Sequence, residues 1–109
     1  MKGCNCYYDT ERNGDSIRIA LKGEIDHHNA VSVRGKIDEL ICIERPKRLV
    51  IDLSEIGFMD SSGLGFIMGR YALMQRLGGD LVLENPNERI VKIFELAGLG
   101  RIVRIENNA

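Results

Sequence analysis

The sequence is short of several things, and each shortage excludes something. There is no excess charge of either sign: fifteen basic against sixteen acidic side chains give a net charge of −1. No stripe of Lys and Arg stands out, so nothing points to direct nucleic-acid binding. No apolar run approaches the roughly 18 residues of a membrane span, and Met1-Lys2-Gly3-Cys4 lacks the apolar core of a signal peptide. The expectation is a cytoplasmic protein with no membrane partner. Three cysteines (Cys4, Cys6 and Cys42) are an odd number, which argues against a disulfide framework. Cys4-x-Cys6 with His27-His28 fits no usual zinc spacing, and the histidines fall on a different element. No metal site is expected, and the cysteines read as two strand residues and one helix residue, all reduced. Repeats, linkers, low-complexity segments and tryptophan are all missing. What remains is an ordinary globular composition, 44% hydrophobic and 28% charged over 109 residues. That is enough for one domain, 1–109, burying roughly two thirds of its unfolded surface.

The pattern predicts a small α/β domain. Asn13-Gly14 is a hairpin turn between two strands, and Ile17, Ile19 and Leu21 alternate with Arg18, Ala20 and Lys22 as in a half-exposed strand. A first helix follows, with Asp26 as N-cap, Val33, Ile37, Leu40 and Ile41 at helical spacing, and Pro46 marking its end. The run RLVIDLS (48–54) is apolar and β-branched, as expected of a central strand covered on both faces. A second helix is predicted over 62–77, stopped by Gly78-Gly79. The strand DLVLEN comes next. Asn85-Pro86-Asn87 then opens a third helix with Ile90, Ile93, Phe94 and Ala97 on one face, ended by Gly98-Leu99. RIVRI is the last strand. The order strand, strand, helix, strand, helix, strand, helix, strand implies a mixed β-sheet packed with α-helices.

The segment FMDSSGLGFIMGRY (58–71) carries the chemistry. Ser61 and Ser62 lie where a helix start needs acceptors for its free N–H groups, so capping by either explains a serine there. A phosphate would also be tolerated at that point, because it meets the positive end of the helix dipole. Gly63-x-Gly65 resembles part of a dinucleotide loop, but the next glycine, Gly69, is one place late and no second βαβ half follows. A serine nucleophile would want G-x-S-x-G, which is absent. On the helix itself, Leu64, Ile67, Met68, Tyr71 and Met74 or Gln75 form the stripe expected to face the sheet. Phe66, Gly69, Arg70 and Leu73 form a second stripe. A second apolar stripe reads as a partner-binding face; the alternative is a helix buried on two sides within the fold. Chemistry alone leads to a compact signalling or interaction domain with a modifiable serine.

Three segments, GEIDHHNA, FMDSSGLGFIMGRY and IFELAGL, occur in this order and together resemble the bacterial anti-sigma factor antagonists with the STAS fold, in particular the sporulation branch. The likeness runs over about 16–105. The resemblance implies a regulatory protein with no catalytic residue and no cofactor. In such proteins the unphosphorylated form binds an anti-sigma factor that is also a serine kinase and so frees a sigma factor. Phosphorylation by that kinase ends binding, and a serine phosphatase restores it. Carried onto this chain, the modified residue is Ser61, between Asp60 and Ser62. The matching partner surface includes Gly23, Asp26 and His27 of the 23–29 loop, with Asp60, Ser61, Ser62 and Gly63. The helical face of Phe66, Gly69, Arg70 and Leu73 is added from the residue pattern. Other readings to be tested are a small nucleotide-binding or hydrolytic α/β domain, and a STAS input module of another signalling complex.

Overall fold

The computed structural model describes residues 6–25 and 27–107, without the side chains of 6, 7 and 27–29. Asp26 and Cys4 therefore lie outside the described residues, and of His27 only the backbone is described. The elements are β1 (Cys6–Asn13), β2 (Ser16–Ile25), α1 (His27–Glu44), β3 (Arg48–Met59), α2 (Ser61–Arg76), β4 (Asp80–Glu84), α3 (Glu88–Ala97), a single 3-10 turn (Leu99–Arg101) and β5 (Arg104–Glu106). The predicted element order holds throughout. Gly14 sits at φ +62, the left-handed conformation that the β1–β2 hairpin turn requires.

The five strands lie in sequence order, β1-β2-β3-β4-β5. The first pair is antiparallel and the others are parallel. Each parallel pair is joined by one helix, and the sheet always grows in the same direction. Right-handed crossovers therefore put all three helices on one side. The burial agrees. Ile19, Leu21, Leu49, Ile51, Leu53 and Leu83 share one core with Ile37 and Ile41 of α1, Ile67 and Met74 of α2, and Ile90 and Phe94 of α3.

The other sheet face corrects the expectation that β3 is covered on both sides. There, Val50 and Asp52 are half-buried and Ser54 is exposed. The strand reads as apolar because its core-facing residues are uniformly so, while the polar ones on the other face are few. Arg18 crosses this open face from β2, pairing with Asp52 of β3 at 2.9 Å and with Glu84 of β4. Beneath this ladder Val82 is buried, in the same register row as Arg18 and Arg104. The long side chains thus cover apolar sheet surface while keeping their charges paired.

Strand β3 also runs to Met59, five residues past the expected end at 54. Pairing with β2 slips twice, between Ala20 and Lys22 and between Gly23 and Glu24, so β3 holds an extra residue at each place. Gly23 takes φ +99 at the second slip, a conformation open chiefly to glycine. Such bulges break strict alternation, which is why the sequence pattern stops short. The two slips deliver Ile56 and Met59 to the core, each 2% exposed, and place Asp60 at the C-terminal edge of the sheet.

Candidate functional site

At that edge the chain turns directly from β3 into α2, and Asp60 makes the turn. Its backbone is extended, and its carboxylate accepts from the N–H of Ser62 at 2.8 Å and of Gly63 at 3.3 Å. The backbone oxygen of Asp60 accepts from Gly63 and Leu64. Asp60 is therefore the N-cap, in place of either serine. An ionised acceptor at the positive end of a helix is the stronger cap, and it frees both hydroxyls. Ser61 is the first helical residue and is exposed; Ser62 is half-buried.

Gly63 and Gly65 belong to the helix and form no phosphate-cradling loop. Gly63 is there for packing: a Cβ at this position would lie 2.2 Å from Met59 Cγ. The close approach of α2 to the end of β3 depends on that missing side chain. At Gly65 and Gly69 the opposite holds, since a Cβ would meet nothing within 4 Å.

The face built by Phe66, Gly69, Arg70 and Leu73 is largely closed, which corrects the expected exposed stripe. Phe66 and Arg70 are each only 4% exposed, and Gly69 and Leu73 are half-buried. Helix α1 covers this side, so α2 is buried both against the sheet and against its neighbour. Arg70 is accommodated there by its surroundings. Its Nη2 donates to Asp38 Oδ2 at 3.2 Å, and its guanidinium carbon sits 5.1 Å from the centroid of the Phe66 ring. Arg70 Nε and Asp38 Oδ1 are 2.7 Å apart but poorly aligned, a charge contact without a hydrogen bond. Nη1 is buried and has no partner among the described residues. Burial lowers the Arg70 pKa, Asp38 opposes that shift, and nearby Arg34 adds to it. Met68, assigned by its spacing to the sheet-facing stripe, is instead exposed.

Between the two helices lies a cleft of about 340 Å³. Helix α1 lines it with Ala30, Val31 and Arg34, and α2 with Ser62, Gly65, Phe66, Gly69 and Arg70. The structure thus gathers Ser62, Phe66, Gly69 and Arg70 at one cleft, next to the Ser61 turn. Leu73 packs against the core and Gly23 lies on β2 opposite the second β3 bulge. Sequence reasoning missed Ala30, Val31, Arg34 and Asp38. The spacing of Arg34 and Asp38, four apart on α1, marks one face of that helix, but nothing local says that α2 lies against it.

A model of the STAS domain matches residues 7–109. The chain belongs to the STAS domain family. This STAS domain is 35% identical over 104 residues to the anti-sigma F factor antagonist of Paenibacillus polymyxa, covering 95% of this chain and 89% of that protein. It is 36% identical over 101 residues to the anti-sigma-B factor antagonist of Bacillus subtilis, covering 93% and 91%. Among solved structures it superposes on the anti-sigma factor antagonist SpoIIAA in its unphosphorylated form with a TM-score of 0.82 and 29% identity, over 94% of this chain and 89% of that one. The phosphorylated form of the Bacillus cell fate determinant SpoIIAA gives a TM-score of 0.76, also at 29% identity, over 94% and 92%. The single STAS fold expected from the sequence is therefore the fold observed.

Proposed function

We propose that this STAS domain is an anti-sigma factor antagonist switched by phosphorylation of Ser61. Its partner is an anti-sigma factor with serine kinase activity, and a serine phosphatase resets it. The observation that carries this reading is the division of labour at the β3–α2 turn. Asp60 holds the helix start, so the exposed Ser61 hydroxyl has no structural duty and is open to a kinase. The names of the relatives supply the class of partner, and a relative solved in both phosphorylation states with the same fold supports a switch that spares the architecture.

The energetics favour a switch at an interface. The kinase would transfer the γ-phosphoryl group of ATP to Ser61 Oγ, releasing ADP and a proton. The product adds about −1.5 to −2 charges. The helix N-terminus tolerates them in the free protein. In a docked complex the dianion would be desolvated beside Asp60 and any acidic partner group. A penalty of several kcal/mol would weaken binding about a hundredfold or more. The docking surface comprises Gly23, Asp26, His27, Asp60, Ser61, Ser62 and Gly63, with the cleft residues Phe66, Gly69 and Arg70 behind it and Leu73 supporting them. In this role the domain binds and releases proteins and catalyses nothing.

The test combines modification with binding. The protein is incubated with its anti-sigma kinase and ATP, and the phosphate is mapped by mass spectrometry. Phosphate on Ser61 is expected, and Ser61→Asp should lose partner affinity while melting as wild type does. Modification of Ser62 alone, or none with an active kinase, refutes the assignment.

A further inference from the structure

We propose that the α1/α2 cleft is the receptor for one acidic side chain of the anti-sigma factor, an Asp or Glu carboxylate held between Arg34 and Arg70. The proposal rests on the antagonist reading above and specifies the chemistry of its interface. Three observations on the cleft converge. The first is charge. Two guanidinium groups line the cleft and, among the described residues, no acidic one does. Asp38 answers only part of Arg70, whose Nη1 stays buried and unpartnered, and Arg34 is exposed with no anionic partner among the described residues. A buried donor without an acceptor is costly, and a planar, forked guanidinium is suited to a carboxylate.

The second observation is access. Gly65 and Gly69 leave the α2 wall without side chains where a Cβ would meet nothing within 4 Å, so an incoming side chain can approach the helix backbone. The third is the rim, where Val31 is 58% exposed. A free anion gains nothing from that apolar surface, whereas a protein burying it does, which favours a carboxylate presented by a folded partner. The placement also bears on the switch. Ser62 lines the cleft and Ser61 precedes it in the first turn of α2, so a dianion on Ser61 adds negative potential near the cleft. It repels the incoming carboxylate and offers Arg34 a rival anion.

The test is a charge swap. Arg34→Glu reverses an exposed, unpaired residue and should leave the melting temperature unchanged. It should weaken binding to the purified anti-sigma kinase by about 30-fold or more. One Asp→Arg or Glu→Arg substitution on the kinase should weaken binding to the wild type and restore it to Arg34→Glu. If Arg34→Glu binds within about threefold of wild type while Ser61→Asp does not bind, the cleft proposal is overturned and the antagonist reading stands. If Arg34→Glu loses binding but no acidic position on the kinase compensates, the occupant is not an acidic side chain. A wild-type dimer that Arg34→Glu dissolves would assign the cleft to a second copy, again against the proposal. Failure of the unmodified wild type to bind the kinase at all would remove the functional reading itself.

Discussion

Two glycines six residues apart on α2 should respond in opposite ways to the same substitution. Gly69→Ala adds a methyl group where nothing lies within 4 Å. The helix interior then gains the difference in propensity between alanine and glycine, about 0.8–1 kcal/mol. At about 4–6 °C per kcal/mol for a domain of this size, the melting temperature should rise by roughly 3–6 °C. Gly63→Ala starts with a smaller helical gain, because it lies in the first turn. Its Cβ would stand 2.2 Å from Met59 Cγ and 3.4 Å from Ile25 Cγ2. Both of those residues are 2% exposed, and Cγ is too near the Met59 backbone to swing aside without a rotamer change. Overpacking of this kind costs about 1–3 kcal/mol. The net effect should be a loss of about 1–2 kcal/mol, or some 4–12 °C. Thermal melts followed by circular dichroism, backed by urea unfolding, measure both variants. If Gly63→Ala melts at or above wild type, the account of why α2 sits so close to β3 is wrong.

Two further predictions concern charge. Asp60→Ala removes the acceptor for two helix N–H groups and should cost about 0.5–2 kcal/mol, whereas Ser61→Ala should stay within about 0.5 kcal/mol of wild type; equal losses in urea unfolding would mean that Ser61 shares the capping. For Asp52, burial raises the pKa, but the Ser54 N–H and hydroxyl, Asn85 and Arg18 together outweigh it and hold the group below the ordinary carboxylate value. A depressed folded-state pKa contributes stability that is present above the unfolded pKa and lost as pH falls through the folded one. Asp52→Asn should therefore flatten the decline in stability below about pH 4, and an unchanged acid limb in stability-against-pH measurements would contradict the pairing on the open sheet face.

Much of the fold was legible because its signals are local. Asn13-Gly14 gave the hairpin, and the spacing of Ile90 and Phe94 gave the buried side of α3. Gly98 does take the left-handed φ of +72 while Leu99 folds back into the core at 1% exposure. What escaped was decided by neighbours in space. The Phe66–Arg70 side of α2 was expected to be exposed because it lies away from the stripe assigned to the sheet. It is closed because α1 brings Asp38 to within pairing distance. The open face of the sheet follows from all crossovers turning the same way, a property of strand order that no single strand records. The cap was a nearer miss. Asp60 stands immediately before the helix, and a carboxylate there outcompetes the serine hydroxyls that followed it in the reading.

Because strand order follows chain order, the protein can be assembled in the order in which it is synthesised. Each parallel pairing joins consecutive strands: Arg48 to Ser16, Asp80 to Arg48, and Arg104 to Val82. By the time Arg76 has left the ribosome, β1 to β3 and both walls of the cleft already exist. What is missing is β4, so the hydrogen-bonding edge of β3 around Leu49 and Ile51 stands open next to apolar side chains, the kind of edge that recruits other chains. In this order of assembly β4 and β5 close that edge only after the cleft is in place. The nascent chain thus has its α1/α2 cleft before it has a protected sheet. That stage is when a chaperone would matter most, and when premature capture at the proposed docking cleft would hold the chain with an unfinished edge.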